Sequence, residues 1–267
     1  MSGLPGRMAA ASAEALDRSS GIELLPFALT GVGFGGSCRI GSKTVRLLEP
    51  EEREHFMEGI QDYNKVIIVD YSHPDAVLGN ASFYASKGLP FVMGTTGGNL
   101  TRLTEIVQSN RLPAVVAPNM ALPLVAIMAM FDFAAKNFPG VFQDYRLSIR
   151  ESHQKGKADT SGTAKAMLGM MKTLGVSFDE DRGIEMCRDP ELQKSLFNIP
   201  DEHLSGHAYH TYDISSEDGS SHFRIEHNIL GRSIYAEGTV HAVQFLARHL
   251  DEKPEAPYSM IDVLKNL

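Results

Sequence analysis

Short apolar runs punctuate the first half of this 267-residue chain. Lys65 to Asp70 (KVIIVD), Pro90 to Gly94 (PFVMG) and Pro113 to Ala117 (PAVVA) are each continuously apolar and bounded by turn or polar residues. Runs of this kind fit strands buried on both faces of a parallel sheet. Helical spacing separates them, over Asp75 to Lys87 and Leu100 to Asn110. Upstream, Gly6 to Arg18 is Ala-rich and helical, and Ile22 to Leu29 reads as a strand in which Pro26 suits a strand end. The β–α alternation predicts a doubly wound, Rossmann-like parallel sheet of the α/β class.

The pattern changes after a helix at roughly 122–137. Tyr145 to Arg150 alternates with period two, placing Tyr145, Leu147 and Ile149 on one face and Arg146, Ser148 and Arg150 on the other. A helix is expected from Ser161 to Leu174, then an antiparallel hairpin of His207 to Ser215 with His222 to Ile229 around Asp218-Gly219. The tail returns to helix at Gly238 to Leu250, with Val240, Val243 and Leu246 on one stripe. The expected division is 1–121, 122–231 as an α+β domain, and a C-terminal helical segment over 232–267.

Composition narrows the function classes. With 43% hydrophobic and 22% charged residues the chain has the profile of an ordinary globular protein. A net charge of −8 argues against a nucleic-acid partner, because phosphate binding wants a basic face. The longest apolar stretch, Met120 to Phe131, contains Pro123 and ends before Asp132, well short of the ~20 residues of a bilayer span, so no membrane partner is expected. Cys38 and Cys187 are the only cysteines, which excludes a disulfide scaffold or a cysteine zinc site and fits a reducing compartment. The Ala- and Ser-rich N-terminus has the flavour of an organelle transit peptide, against which Glu14 and Asp17 count. His203, His207 and His210 lack the spacing and the completing carboxylate or cysteine of a metal set, so no metal is expected.

Two glycine clusters compete for a dinucleotide role. Gly31, Gly33 and Gly36 match G-x-G-x-x-G, yet the following SCRIGSKTVRL reads as a β-hairpin and offers no helix N-terminus for a pyrophosphate. Gly3-Leu4-Pro5-Gly6-Arg7-Met8 runs directly into a helix, although the strand that should precede such a turn is missing from the pattern. Three strand ends converge in a parallel sheet: Asp70-Tyr71-Ser72-His73-Pro74, Gly94-Thr95-Thr96-Gly97-Gly98 and Ala117-Pro118-Asn119-Met120. The richest stretch, Glu151 to Ala164 (ESHQKGKADTSGTA), joins a strand to a helix start. There Ser161, Gly162 and Thr163 suit a carboxylate, Lys155 and Lys157 concentrate positive charge, and His153 is the natural proton donor near neutral pH.

In order, GLPGRM, MGTTGG, APNM, ESHQKGKADTSGTA and HNILGRSIYAEGTVHAV resemble the dihydrodipicolinate reductase family, in the form found in photosynthetic lineages. The resemblance covers essentially the whole chain. It implies a nucleotide-binding domain rejoined by the C-terminal helix, and a substrate-binding and oligomerisation domain between. It implies reduction of 4-hydroxy-tetrahydrodipicolinate by NADPH, or NADH, in lysine biosynthesis, within a dimer or tetramer. His153 and Lys157 would be the catalytic pair, and Ser161, Gly162, Thr163, Gln154 and Arg232 would hold the dicarboxylate. Gly3, Gly6, Arg7, Met8, Thr30, Gly94, Thr95, Thr96, Asn119, Met120 and Tyr235 would border the cofactor. The compartment would be the plastid stroma in a photosynthetic eukaryote and the cytoplasm otherwise. Three departures stand out: Gln154 replaces a second histidine of bacterial members, no proline precedes SGTA, and the first strand is missing. The rivals are another Rossmann amino-acid dehydrogenase, against which the lysine loop leading into SGTA argues, and a non-catalytic descendant serving as a scaffold. For cofactor choice, the strand ending Ala28-Leu29-Thr30-Gly31 carries no carboxylate to meet a ribose 2′-hydroxyl, which favours NADPH.

Overall fold

The computed structural model describes residues 1–54, 65–95 and 98–267. The chain forms two compact units, one of Met1–Val125 with Ser233–Leu267 and the other of Ala126–Arg232.

The first unit is built on a mostly parallel sheet. Its strands are β1 (Phe27–Leu29), β2 (Gly36–Ile40), β3 (Lys43–Leu48), β4 (Ile68–Asp70), β5 (Phe91–Met93) and β6 (Ala114–Val116). They are ordered β2-β3-β1 and β4-β5-β6, all parallel except the β2–β3 hairpin. The first residues of the chain join the two groups. Ser2 bridges in parallel to both Leu29 and Asp70, through bonds from Ser2 N to Val69 O (2.8 Å), Gly3 N to Leu29 O (3.0 Å) and Tyr71 N to Ser2 O (3.1 Å). The missing-strand expectation is corrected there: residues 1–3 supply the pairing between β1 and β4.

Burial on both faces explains why β5, β6 and all of β4 but its last residue are continuously apolar. Val69, Val92 and Val115 pack on one face with helices α1 (Arg7–Arg18) and α7 (Ser233–Ala247). Their neighbours Ile68, Phe91, Met93 and Ala114 pack on the other, against α2 (Val77–Ser86) and α3 (Leu100–Asn110). Each face is covered, so neither parity can be polar. This is the doubly wound arrangement the sequence predicts.

The second unit has the sheet order β11-β10-β7-β8, with β9 also on β7. These are β7 (Tyr145–His153), β8 (Ser177–Phe178), β9 (Glu185–Cys187), β10 (His207–Ser216) and β11 (His222–Leu230). Leu147, Ile149, Tyr212 and Ile214 meet Ala164, Met167 and Met171 of α5 (Gly162–Thr173), forming its core. The strand expected to end at Arg150 continues through His153. The segment of β9 and helix α6 (Pro190–Phe197) was not foreseen, although Asp189 caps that helix through Glu191 N and Leu192 N with Pro190 at its start.

Candidate functional site

In the first unit, glycine shapes the turn at the chain's beginning. Gly3 adopts φ +98°, and a Cβ there would lie 2.5 Å from the Tyr71 carbonyl oxygen. Gly6 N donates to Gly3 O (2.9 Å), and Gly6 opens α1 with no side chain capping it. The first-turn N–H groups of such a helix have no intrahelical partner, and together with the dipole they suit an anion. Leu4 plugs the turn into the core at 1% exposure, and Thr30 Oγ1 donates to Leu4 O (2.7 Å). Gly6 and Arg7 are exposed and Met8 is half-buried. Gly31, Gly33 and Gly36 lead instead into the β2–β3 hairpin.

The strand ends carry their own constraints. Asp70 is fully buried and saturated, accepting from Ser72 N (2.7 Å), Asn80 Nδ2 (3.0 Å) and Tyr84 OH (2.6 Å), so it fixes the end of β4. A Cβ on Gly94 would lie 2.3 Å from the Tyr71 ring, so glycine lets that ring lie across the end of β5. Tyr71 OH meets Thr239 Oγ1, which donates to Tyr235 O (2.8 Å), tying β4 to α7. Thr95 Oγ1 donates to Ser72 O (3.0 Å), and Asn119 Oδ1 accepts from Ala121 N (2.9 Å). Burial pushes the half-buried Tyr235 hydroxyl up. Thr96 lies outside the described residues.

Two expected cofactor contacts take other roles. Thr30 is 4% exposed and spends its hydroxyl proton on Leu4 O, so it braces the glycine turn and has no donor left for a 2′-phosphate. Met120 turns into the core at 2% exposure.

In the second unit, β7 parity does the positioning. Leu147, Ile149, Glu151 and His153 share one face, so the alternation that buries Leu147 and Ile149 carries the two ionisable residues inward as well. Glu151 is fully buried and His153 is 7% exposed. Glu151 Oε1 accepts from Arg188 Nη2 (2.6 Å) and Oε2 from Ser161 N (3.0 Å). His153 Nδ1 lies 3.8 Å and His210 Nε2 3.6 Å from the same Oε2, beyond hydrogen-bond reach. The His153 and His210 rings meet edge to face at 5.0 Å, and His210 stacks on His227 at 4.5 Å.

Charge follows from this packing. Burial opposes ionisation of Glu151, but His210, Arg188, His153 and the Ser161 N–H outweigh it and hold the carboxyl at about 2. Burial, with His210 second and Glu151 partly offsetting, pushes His153 down to about 3. Burial and then His210 push His227 down to about 4. His153 is therefore neutral at physiological pH in this fold.

The rest of the loop surrounds this centre. Ser161 caps α5 by accepting from Ala164 N, leaving Gly162 exposed and Thr163 half-buried at the helix start. Lys157 Nζ pairs with Asp159 (3.0 Å), and Gln154 is half-buried on the same loop. Arg232 lies against Gly206, where a Cβ would come 2.9 Å from its Nη1. The unit thus gathers His153, Lys157, Ser161, Gly162 and Thr163 into one stretch. Sequence reasoning missed Glu151, Arg188, His210 and His227 as its supports.

The expectation about the histidines is partly redrawn. His207 is held between Ser152 Oγ (2.9 Å) and His203 O (3.1 Å), apart from any ligand set. Glu151, His153 and His210, however, place three ligand-type atoms within 4.8 Å of one another. Both Glu151 oxygens are already engaged by a cation and an N–H, so a divalent ion there would stand beside Arg188 with little charge left to balance it.

A doubly wound sheet with an open helix N-terminus at its glycine turn, and a second unit presenting an imidazole, a lysine and a serine-capped helix start, define a two-unit nucleotide-dependent oxidoreductase. Residues 1–120 match the family described as "Dihydrodipicolinate reductase, N-terminus" and residues 124–264 match "Dihydrodipicolinate reductase, C-terminus". The chain belongs to the dihydrodipicolinate reductase family. It is 42% identical to 4-hydroxy-tetrahydrodipicolinate reductase 2, chloroplastic, of Arabidopsis thaliana over 268 residues, covering 99% of this chain and 76% of that protein. It is 43% identical over 263 residues to a probable chloroplastic reductase 1 of Oryza sativa subsp. japonica, covering 97% and 76%. The fold resembles that of a dihydrodipicolinate reductase from Paenisporosarcina sp. TG-14, with TM-score 0.63 and 19% identity over 97% of this chain and 95% of that one.

Proposed function

We infer that this protein reduces 4-hydroxy-tetrahydrodipicolinate to tetrahydrodipicolinate in lysine (diaminopimelate) biosynthesis, with NADPH preferred over NADH. The observation that carries the reading is the geometry of Glu151 to Ala164. A buried imidazole, a lysine and a serine-capped helix start come from one continuous segment, which is what a small dicarboxylate needing a proton requires.

Each residue then has a physical task. The N–H groups and hydroxyl of Gly162 and Thr163 at the start of α5 bind one substrate carboxylate through the helix dipole, with Gln154, Lys157 and Arg232 adding hydrogen bonds and positive charge. Ser161 N–H is committed to Glu151, so Ser161 shapes this anion site more than it fills it. A reduced nicotinamide nucleotide, when bound, supplies the hydride. Loss of the 4-hydroxyl as water leaves a ring carbon conjugated with the imine. Once that carbon has taken the hydride, His153 donates the proton that the electron-rich nitrogen system must receive, and Lys157 steadies the negative charge as it develops. A neutral His153 gains its proton as the dianion binds, because negative charge beside an imidazole favours its charged form. The glycine turn at Gly3 and Gly6 fits a nucleotide, since it delivers the open N-terminus of α1 with no side chain capping it. Arg7 and Met8 at the start of α1, Thr95 and Asn119 at the strand ends, Tyr235 on α7, and Thr96 complete the nucleotide-binding set.

The NADPH preference rests on the end of β1, where Ala28-Leu29-Thr30-Gly31 presents no carboxylate. Two further readings accompany the chemistry. The chloroplastic relatives support a plastid location. The edge position of β11, with Phe223 48% exposed, supports assembly into a homo-oligomer, a dimer or tetramer. The functional reading is tested by two variants. His153→Ala should lower kcat by on the order of 100-fold with KM little changed, whereas Thr163→Val should mainly raise KM. Equal effects of both variants on both constants would dismantle the division between proton donor and carboxylate anchor.

A further inference from the structure

We propose that Glu151 is the positioning residue of the proton donor, a buried carboxylate that orders the Ser161 turn and supplies the negative charge beside His153. The inference deepens the reading of His153 as proton donor and rests on it.

The sheet register brings the parts together. Glu151 pairs across β7 and β10 with His210, and His210 pairs across β10 and β11 with His227. One carboxylate therefore faces a row of imidazoles from three strands. A fully buried carboxylate is tolerated only when its charge is answered. Arg188 answers it at 2.6 Å from the end of β9, and the same guanidinium donates to Lys157 O (2.8 Å) and Asp159 O (3.4 Å). The Glu151–Arg188 pair thereby holds the loop that carries Lys157, while Oε2 holds the turn that opens α5. One ion pair fixes both halves of the catalytic segment.

The charged and titratable groups facing His153 are few and can be signed. Glu151 on its own strand favours the imidazolium. His210 from β10, Arg188 after β9 and Lys157 from the loop oppose it. His227 faces His210 from β11. Removing the carboxylate should make His153 a weaker base, and removing the guanidinium should make it a stronger one. A group that only fills space would produce no such opposition of sign.

The test compares variants of the protein by the pH profile of kcat. Glu151→Gln keeps an oxygen to accept the Ser161 N–H but carries no charge. Its kcat should fall by on the order of 100-fold with KM within about 3-fold, and the limb where activity is lost as pH rises should move to lower pH. Arg188→Gln should move that limb to higher pH, and Glu151→Asp should restore most of the wild-type profile. Thermal melts identify any variant that does not fold, and the remaining one still carries a signed prediction. Shifts in the same direction, an unmoved limb, or a loss wholly in KM would overturn the proposal. So would a change in wild-type kcat on adding a chelator or zinc ion, which would make the cluster a metal site. Failure of the underlying reading is separate: it would show as full kcat in His153→Ala.

Discussion

A single parity decides most of the chemistry at the scale of the residue. The alternation of Tyr145 to Arg150 is plain in the sequence, and continuing it by two steps buries Glu151 and His153. The proposed proton donor was legible as a histidine near a lysine and SGTA. Its burial was legible only to a reader who let the strand run on. Arg188 was not legible at all, because only the pairing of β9 with β7 brings it to Glu151 from 37 positions away. The cost of this arrangement appears in acid. His153 and His227, held at about 3 and about 4, are neutral in the fold but titrate near 6.5 when unfolded. A depressed histidine contributes stability that is present above the unfolded value and is lost as pH falls toward the folded one. Glu151, held at about 2, loses its contribution in the same direction below the ordinary carboxylate range. Stability should therefore fall steadily between about pH 6.5 and about pH 4, by on the order of 1–3 kcal/mol for each histidine, and the melting temperature with it. His227→Leu should flatten that fall. A midpoint in this variant as acid-sensitive as the wild type's would remove His227 from the account.

Elements were readable in kind and order more than in extent. The apolar runs gave the three parallel strands β4, β5 and β6, because residues buried on both faces leave a continuous signature. Ile22 to Leu29 shrank to Phe27–Leu29, with Pro26 just outside the strand, and α7 begins at Ser233, five residues before the expected Gly238. That last difference has a cause. Gly238 opens the expected helix, but here it lies inside α7, at the point where α7 passes the strand-end loop, and a Cβ would stand 1.7 Å from Met120 O. Glycine sits mid-helix for closeness of backbone. Gly238→Ala should consequently destabilise the protein by about 1–3 kcal/mol, as overpacking does, despite alanine's better helix propensity. A melt unchanged or raised in that variant would mean the contact relaxes at no cost. The glycines at 31, 33 and 36 teach the converse: the letters of a dinucleotide motif precede a hairpin, and GLPGRM, poorer in letters, precedes the helix.

For the molecule as a whole, the division into a doubly wound unit and an α+β unit follows from the change in periodicity near residue 122, and the chain crosses between the units within helix Leu122–Asn137. What periodicity does not show is how residues 1–3 fill the gap between β1 and β4, since so short a segment carries no pattern of its own. Cofactor choice also belongs to this scale: with no carboxylate at the end of β1, kcat/KM should favour NADPH over NADH, and a clear advantage for NADH would reverse that reading. The central claim is a hydride transfer, and isotope transfer tests it most directly. The protein is incubated with NADPH deuterated on the transferred face of its nicotinamide and with freshly generated 4-hydroxy-tetrahydrodipicolinate, and the product is weighed by mass spectrometry. Tetrahydrodipicolinate carrying one deuterium per NADPH consumed, formed with wild type and strongly reduced with His153→Ala, is the predicted result. Nucleotide oxidation no faster than without protein, or a product lacking deuterium with either face labelled, would contradict the account.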